Sequence, residues 1–107
     1  MARYITYKRW HLEDSSQAEE MESLVRDDIA PAYHQIEGCL GMGLERIEGT
    51  NSYLATQHWI SEDAATHTLE THESTEWYAA NRLLLHRWMA MLSLEEEWAT
   101  TELVSPH

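Results

Sequence analysis

The sequence predicts a single α+β domain with the element order β-α-β-β-α-β. Three observations carry this prediction. Short segments rich in aromatic and β-branched residues are typical of strands, and two longer segments repeat apolar residues at helical steps of three and four. The length of 107 residues suits one hydrophobic core. Because no repeat or linker interrupts the pattern, we expect one domain over residues 1–107.

The first strand and the first helix are both marked by local composition. Residues 3–12 contain aromatic and β-branched types without Gly or Pro, which predicts a strand. Ser16 and Glu19 have the spacing of a capping box. The apolar residues that follow fall on one helical stripe: Met21, Leu24, Val25, Ile29 and Ala32. The stripe predicts an amphipathic helix over residues 16–36, which Pro31 kinks or restarts.

A hairpin is expected after this helix. Gly38 ends the helix, and residues 39–48 and 53–60 alternate loosely between apolar and polar types, which predicts the second and third strands. The segment between them, residues 49–52, reads Gly-Thr-Asn-Ser and suits a hairpin turn.

A second long helical region and a last strand complete the chain. Ser61 is a good amino-terminal cap, since Glu62 and Asp63 follow it and favour the helix dipole. Ser74 is predicted to cap the region a second time. From there the clearest apolar stripe of the chain comprises Trp77, Ala80, Leu84, Trp88 and Met91. A short final strand is predicted over residues 98–104.

This order of elements is that of the ferredoxin-like fold, a four-stranded antiparallel sheet with two helices on one face. In the third strand the residues pointing one way are Leu54, Thr56, His58 and Ile60, and those pointing the other way are Tyr53, Ala55, Gln57 and Trp59. Neither set is plainly polar. Because the helices cover only one face, the other face needs a second cover, and we expect a two-fold partner to supply it. The sequence therefore predicts a homodimer.

Charge and composition exclude several classes of partner. Nineteen acidic residues against seven basic ones give a formal charge of −12, which repels phosphate backbones and anionic headgroups, so we expect neither nucleic-acid nor membrane binding. No apolar run reaches the length of a membrane span, and no signal-peptide pattern opens the chain. Cys39 is the single cysteine, so an intrachain disulfide is impossible. We expect a cytoplasmic protein.

Three short motifs resemble those of one family. Gly38-Cys39-Leu40-Gly41 lies between a helix and a strand, and Trp59-Ile60-Ser61-Glu62-Asp63-Ala64 joins a strand to a helix. His67 and His72 lie five residues apart in that helix. Together these motifs resemble the antibiotic-biosynthesis-monooxygenase group of dimeric α/β barrels. The resemblance covers nearly the whole chain in order of elements, and it implies a ferredoxin-like protomer that forms a homodimer.

The resemblance implies several activities. Members of the group include cofactor-independent oxygenases of polyketide quinones, haem-degrading oxygenases, and small proteins without a known reaction. The haem-degrading members use an Asn on the first strand and a Trp and a His on the second helix. Those positions fall here on Lys8, Thr68 and Asn81, which argues against haem degradation, and we expect no cofactor.

The histidines do not predict a metal site. His67 and His72 would lie roughly 140° apart around a helix, whereas ligands on one helix face come three or four residues apart. His67 and Glu70 have such a spacing, but a helix rich in acidic residues produces it by chance. Cys39 lacks a neighbouring base in the sequence, so we expect a buried apolar thiol rather than a nucleophile.

The aromatic residues predict a ligand cavity between the sheet and the helices. Its apolar walls would be Tyr33, Trp59, Trp77 and Trp88, and the polar groups that orient a ligand would be His34, His67, Asn81 and Arg82. Oxygenation of an electron-rich aromatic molecule needs a base that forms its phenolate or enolate and a hydrogen bond to the resulting charge. We expect His67 or His34 to be the base and Asn81 to assist catalysis.

Three functions agree with these patterns. The first is a small cofactor-independent monooxygenase that acts on an aromatic or quinone-type molecule. The second is a non-catalytic dimeric module that binds a small molecule or supports assembly, in which case the tryptophans are ordinary core residues and the histidines are solvated. The third is an isomerase or decarboxylase of lactones and enols. An apolar cavity with an imidazole within hydrogen-bond reach would favour an enzyme.

Overall fold

The computed structural model describes residues 3–71 and 75–106, with the backbone alone for residues 69–71. The strands are β1 (Tyr4–Leu12), β2 (Cys39–Arg46), β3 (Ser52–Trp59) and β4 (Leu92–Thr101). They form a four-stranded sheet in the order β2-β3-β1-β4, and each neighbouring pair is antiparallel. This arrangement confirms the predicted ferredoxin-like fold.

The first helical region runs from Ser15 to Tyr33 and changes its winding along the way. It comprises a 3₁₀ turn (Ser15–Gln17), α1 (Ala18–Leu24), a π-helical turn (Val25–Ile29) and α2 (Ala30–Tyr33). Pro31 is the second residue of α2, which continues directly from the π-helical turn. The winding changes next to Pro31, at Ala30 rather than at Pro31 itself. The region ends at Tyr33, about three residues before the predicted end near residue 36.

The cap of this region differs from the predicted one. Asp14 is the capping residue, and its carboxylate accepts a hydrogen bond from the backbone N–H of Ser16 at 3.0 Å and from the Ser16 hydroxyl at 2.7 Å. These hydrogen bonds stabilise the ionised carboxylate and lower the pKa of Asp14. Gln17 precedes α1 without a side-chain cap. The predicted capping box of Ser16 and Glu19 is therefore wrong, because Ser16 lies inside the turn and serves as the donor.

The second helical region consists of two helices, α3 (Glu62–Thr71) and α4 (Glu76–Met89). The Ser61 hydroxyl accepts a hydrogen bond from the Ala64 N–H at 3.1 Å, which confirms the predicted cap. The Thr75 hydroxyl accepts one from the Tyr78 N–H at 3.1 Å and caps α4. The predicted cap at Ser74 lies outside the described residues. No helix of the described chain is long and apolar enough to span a bilayer.

The last strand corrects the prediction of a strand over residues 98–104. β4 begins at Leu92, ends at Thr101 and pairs with β1 on both sides of a register shift at Glu95. The run Glu95–Glu97 obscured this strand in the sequence. A strand at the sheet edge tolerates such charges because much of it faces solvent. Leu103 and Val104, which the prediction included, are highly exposed beyond the strand.

The hydrophobic core lies between the helices and one face of the sheet. One of the two predicted sets of β3 faces the helices and is buried, namely Tyr53, Ala55, Gln57 and Trp59. Leu12, Met21 and Ile29 are the largest fully buried side chains of the described residues. The stripe of the first helical region is buried, whereas that of the second is buried only in part, since Trp88 and Met91 are buried and Ala80 is exposed.

The opposite side of the sheet, here called the outer face, carries apolar side chains without a covering layer in the protomer. It comprises Ile5, Tyr7, Leu54, His58 and Trp98. The rings of Tyr7 and Trp98 stack at 5.1 Å and 6°, and Trp98 remains 38 % exposed. The two-faced character predicted for β3 is therefore present in the folded protomer.

Candidate functional site

A cavity of about 340 Å³ lies between the helix-facing side of the sheet and the helices. Residues of three neighbouring strands line it, namely Tyr4, Thr6, Tyr7 and Lys8 of β1, Gln57 and Trp59 of β3, and Glu97, Trp98 and Ala99 of β4. Tyr33 of α2 and Thr68 of α3 lie on its helical side. The volume and the aromatic lining suit a small aromatic molecule.

A chain of hydrogen bonds crosses the sheet beside this cavity. The indole Nε1–H of Trp59 donates to Thr6 Oγ1 at 3.1 Å, and Thr6 Oγ1 donates to Gln57 Oε1 at 2.8 Å. An indole can only donate, so the Thr6 oxygen is the acceptor in the first bond and its single hydrogen serves the second. The Gln57 backbone oxygen lies farther away, at 3.5 Å. The chain therefore holds the Gln57 amide with its oxygen towards Thr6.

This orientation leaves the NH₂ group of Gln57 available. Gln57 is 5 % exposed, and its amide nitrogen has no hydrogen-bond partner among the described residues. The nitrogen itself keeps some access to solvent, since the fully buried polar atoms that lack a partner in the described residues do not include it. Since Gln57 lines the cavity, its NH₂ group is a ready donor to an oxygen atom of a ligand.

Tyr33 adds a neutral wall on the helical side. Burial raises the pKa of Tyr33 to about 12, and the proximity of Cys39 adds to the effect. The phenol therefore stays protonated at physiological pH and cannot serve as a general base. Its ring contacts that of Trp77 at 5.2 Å, and the Trp77 indole donates to the Ala32 carbonyl at 2.7 Å, so the position of the Tyr33 ring is well supported.

Two groups of opposite formal charge line the cavity on adjacent strands. Lys8 and Glu97 are register partners across β1 and β4. Lys8 is half-buried and Glu97 is exposed. Within the described chain Lys8 makes no ion pair or hydrogen bond. The ammonium group is therefore left to solvent or to a ligand.

The structure brings only some of the predicted site residues to this cavity. Tyr33 and Trp59 line it. Trp77 and His67 instead line a neighbouring cavity of about 220 Å³, which shares Thr68 with the first. His67 is exposed on α3, so any role it has in chemistry is played from the neighbouring cavity.

The remaining predicted residues lie elsewhere. Trp88 is buried in the core, with its ring 5.6 Å from that of Trp10. Asn81 donates its side-chain amide to the Trp77 carbonyl at 2.9 Å, within α4. His34 and Arg82 are exposed. None of these four residues lines the cavity as the structure describes it, and the roles assigned to them stay predictions.

Sequence reasoning missed the polar residues that line the cavity. Thr6 and Lys8 occupy alternate positions of a strand otherwise rich in aromatic residues, and Gln57 lies between Ala55 and Trp59 in the buried register. A polar side chain in a buried register is the signal that identifies such residues, since burial without a partner is costly. That signal was present for Gln57.

The described residues contain no group of three His, Cys, Asp or Glu side chains placed to hold a metal ion. Cys39 is buried, and its Sγ lies 3.7 Å from the Gly41 carbonyl oxygen. Burial raises the pKa of the Cys39 thiol. The thiol therefore stays protonated at neutral pH, which makes it a poor nucleophile.

Solved structures share this fold. HapK from Hahella chejuensis has a TM-score of 0.75 and 18 % identity, with 97 % of this chain and 96 % of that chain covered. A variant of SnoaB, a cofactor-independent oxygenase from Streptomyces nogalater, has a TM-score of 0.72 and 18 % identity over the same shares. The proposed antibiotic biosynthesis monooxygenase of Chloroflexus aurantiacus has a TM-score of 0.65 and 14 % identity, covering 98 % of this chain and 96 % of that chain.

These likenesses show the fold of the monooxygenase-like α/β barrels, as the sequence resemblance predicted. They leave the reaction open, because proteins with so few identical residues share architecture more reliably than activity. No protein-family model matches the chain, and no curated protein matches it.

Proposed function

We propose that this protein is a cofactor-independent monooxygenase that acts on a small aromatic or quinone-type molecule in the cavity of each protomer. The observation that carries the proposal is the NH₂ group of Gln57, which has no partner among the described residues and belongs to the lining of a cavity with aromatic walls. A fixed donor of this kind stabilises negative charge that develops on a substrate oxygen. The shared fold with a cofactor-independent oxygenase supports the proposal.

The proposed reaction oxidises an activated CH₂ group of the substrate with molecular oxygen. Loss of a proton gives a phenolate or enolate, whose oxygen accepts a hydrogen bond from Gln57. Electrons pass from this anion to O₂, and a carbon–oxygen bond forms. One oxygen atom remains as a new carbonyl, and the other leaves as water with the two hydrogens of the CH₂ group. Trp59 and Tyr4 flank the substrate and exclude water from the charged intermediate.

His67 is the proposed base for the first proton. It lines the neighbouring cavity beside Thr68, which lines both cavities, and the proposal requires its imidazole to reach the substrate from there. We expect His67→Ala to lower the rate of oxygen consumption by about 100-fold. The measurement uses an oxygen electrode and a panel of hydroxylated aryl ketones that carry an activated CH₂ group. His86→Ala is the control, since His86 is exposed on α4.

Two outcomes would contradict this assignment. Turnover that survives His67→Ala unchanged would remove the base role of His67 and leave the oxygenase in place. No oxygen consumption with any member of the panel would argue against the oxygenase itself.

A non-catalytic binding module is the second candidate. The observation that favours it is that no histidine lies among the described residues lining the cavity, so the cavity holds no imidazole of its own. The two candidates differ in one measurement. A module would bind an aromatic ligand tightly and consume no oxygen with it.

We propose that a second copy of the chain covers the outer face, which makes the protein a homodimer. A chain of 12.5 kDa gives a dimer of twice that mass, and sedimentation equilibrium is expected to report the doubled value. Leu54→Asp places a charge on the outer face and is expected to give monomers. Leu83→Asp is the control, because Leu83 is 77 % exposed on α4. A wild type that sediments at 12.5 kDa at every concentration would overturn the proposal.

A further inference from the structure

Lys8 is the one lysine of a chain with a formal charge of −12. It is half-buried, it lines the cavity, and it has no ion-pair or hydrogen-bond partner in the described chain. Its ammonium nitrogen is not among the buried polar atoms that lack a partner, so solvent hydrates it when the cavity is empty. Acidic residues are abundant in this protein, yet none of the described ones pairs with Lys8. A carboxylate bound in the cavity would therefore meet an ammonium group that no described side chain already neutralises.

We propose that the ligand of this cavity is a planar aromatic acid whose carboxylate pairs with Lys8. The inference rests on the proposed function, because it takes the cavity to be the substrate site and names the class of substrate. The Gln57 NH₂ group would donate to a second oxygen of the same molecule. A charge-assisted hydrogen bond to the carboxylate and a neutral one to a hydroxyl oxygen would together fix the orientation of the ring.

The strand register places these two contacts at a useful separation. Thr6 pairs with Gln57, and Lys8 pairs with Ala55, on the same face of the sheet. Two residues along a strand span about 7 Å. A bicyclic aromatic ring with a hydroxyl at one end and a carboxylate at the other has its oxygen atoms at a comparable distance. The aromatic rings of Tyr33 and Trp59 then contact the ring system.

Glu97 is the other charged residue among those described at the cavity. It lies opposite Lys8 in the register, its side chain is exposed, and no ion pair joins the two. A carboxylate at the rim repels an acidic ligand, so its charge opposes that of Lys8. The proposal therefore predicts effects of opposite sign when each charge is removed.

The test is isothermal titration calorimetry with 4-hydroxy-1-naphthoate and its uncharged analogue 4-methyl-1-naphthol. We expect the wild type to bind the acid about tenfold more tightly than the analogue. Lys8→Met is expected to abolish this preference, and Lys8→Arg to retain most of it. Glu97→Gln is expected to tighten the binding of the acid about twofold and to leave the binding of the analogue unchanged. Added salt should weaken the binding of the acid alone.

Several results would overturn the inference. Equal affinity for the two probes would do so, as would an undiminished preference in Lys8→Met, or a failure of both probes to bind. Thermal melting checks that each variant folds. If Lys8→Met does not fold, the inference is still tested by two results. These are the preference of the wild type for the acid over the analogue and the tighter binding of the acid by Glu97→Gln.

Experiments can distinguish a failure of the proposed ligand class from a failure of the proposed oxygenase activity. If the acid binds through Lys8 but no hydroxylated aromatic acid supports oxygen consumption, the oxygenase is wrong and the ligand class stands. If neutral phenols are turned over as well as acidic ones, the oxygenase stands and the ligand class is wrong.

Discussion

Replacing Gln57 by Leu is expected to lower the turnover number of the proposed oxygenation by about 100-fold. Leu has a similar size, so the cavity keeps its shape, while the amide donor that has no partner among the described residues is removed from the cavity lining. The developing phenolate would then lose its hydrogen bond in a site from which water is excluded, where that bond counts most. The measurement is the rate of oxygen consumption at saturating substrate.

Two further variants show whether the loss belongs to the hydrogen bond. Gln17→Leu makes the same change at the start of α1, where the side chain makes no capping bond, and should leave turnover unchanged. Thr6→Val removes the hydroxyl that orients the Gln57 amide, so an intermediate loss of turnover is expected. Gln57→Leu also leaves the Thr6 hydroxyl without its acceptor, which lowers the free energy of unfolding by about 1–2 kcal/mol. The assays must therefore be run under conditions in which both proteins are folded. Full activity in Gln57→Leu would contradict the proposed role.

The second large effect concerns stability. Gly38→Ala is expected to lower the free energy of unfolding by about 2–4 kcal/mol, measured by urea denaturation. Gly38 has a φ of +85°, which is unfavourable for residues with a Cβ. A Cβ at this position would also lie 2.8 Å from the Cβ of Ala64 in α3. The backbone strain and the steric clash add, because neither is relieved by moving a side chain.

Gly49 provides the matched control. Its φ is +76°, but a Cβ there would meet no atom within 4 Å. Gly49→Ala should therefore cost only the backbone strain, about 1 kcal/mol. Adding Ala64→Gly to Gly38→Ala is expected to recover the steric part of the loss. Equal destabilisation by the two single substitutions would show that contact with Ala64 contributes nothing.

The elements of the fold were largely predictable because their signals are local. The Ser61 cap, the hairpin turn and the alternation of β3 each depend on residues close in sequence. The errors occurred where local signals compete. Asp14 took the capping role expected of Ser16, and the run Glu95–Glu97 hid an edge strand that pairing with β1 extends to Leu92.

The site was less predictable, because cavity lining depends on which strands become neighbours. Tyr33 and Trp59 were identified from the aromatic pattern and line the cavity. Trp88 has the same helical spacing as Trp77, yet its ring contacts Trp10 in the core. Periodicity reports which side of a helix faces inward. It does not report which part of the inner surface is packed and which part is hollow.

The sequence by itself determined the class of fold, the two opposite-facing sets of β3 and the acidic character of the chain. Only the tertiary structure decided which of the two sets faces inward, and that within the described residues the Gln57 NH₂ group and Lys8 have no partner. Thr6 lies 51 residues from Gln57 in sequence, and it orients the amide because β1 and β3 are neighbours and Trp59 already supplies a hydrogen bond to its oxygen. The availability of a polar group depends on partners that are distant in sequence, so local patterns do not reveal it.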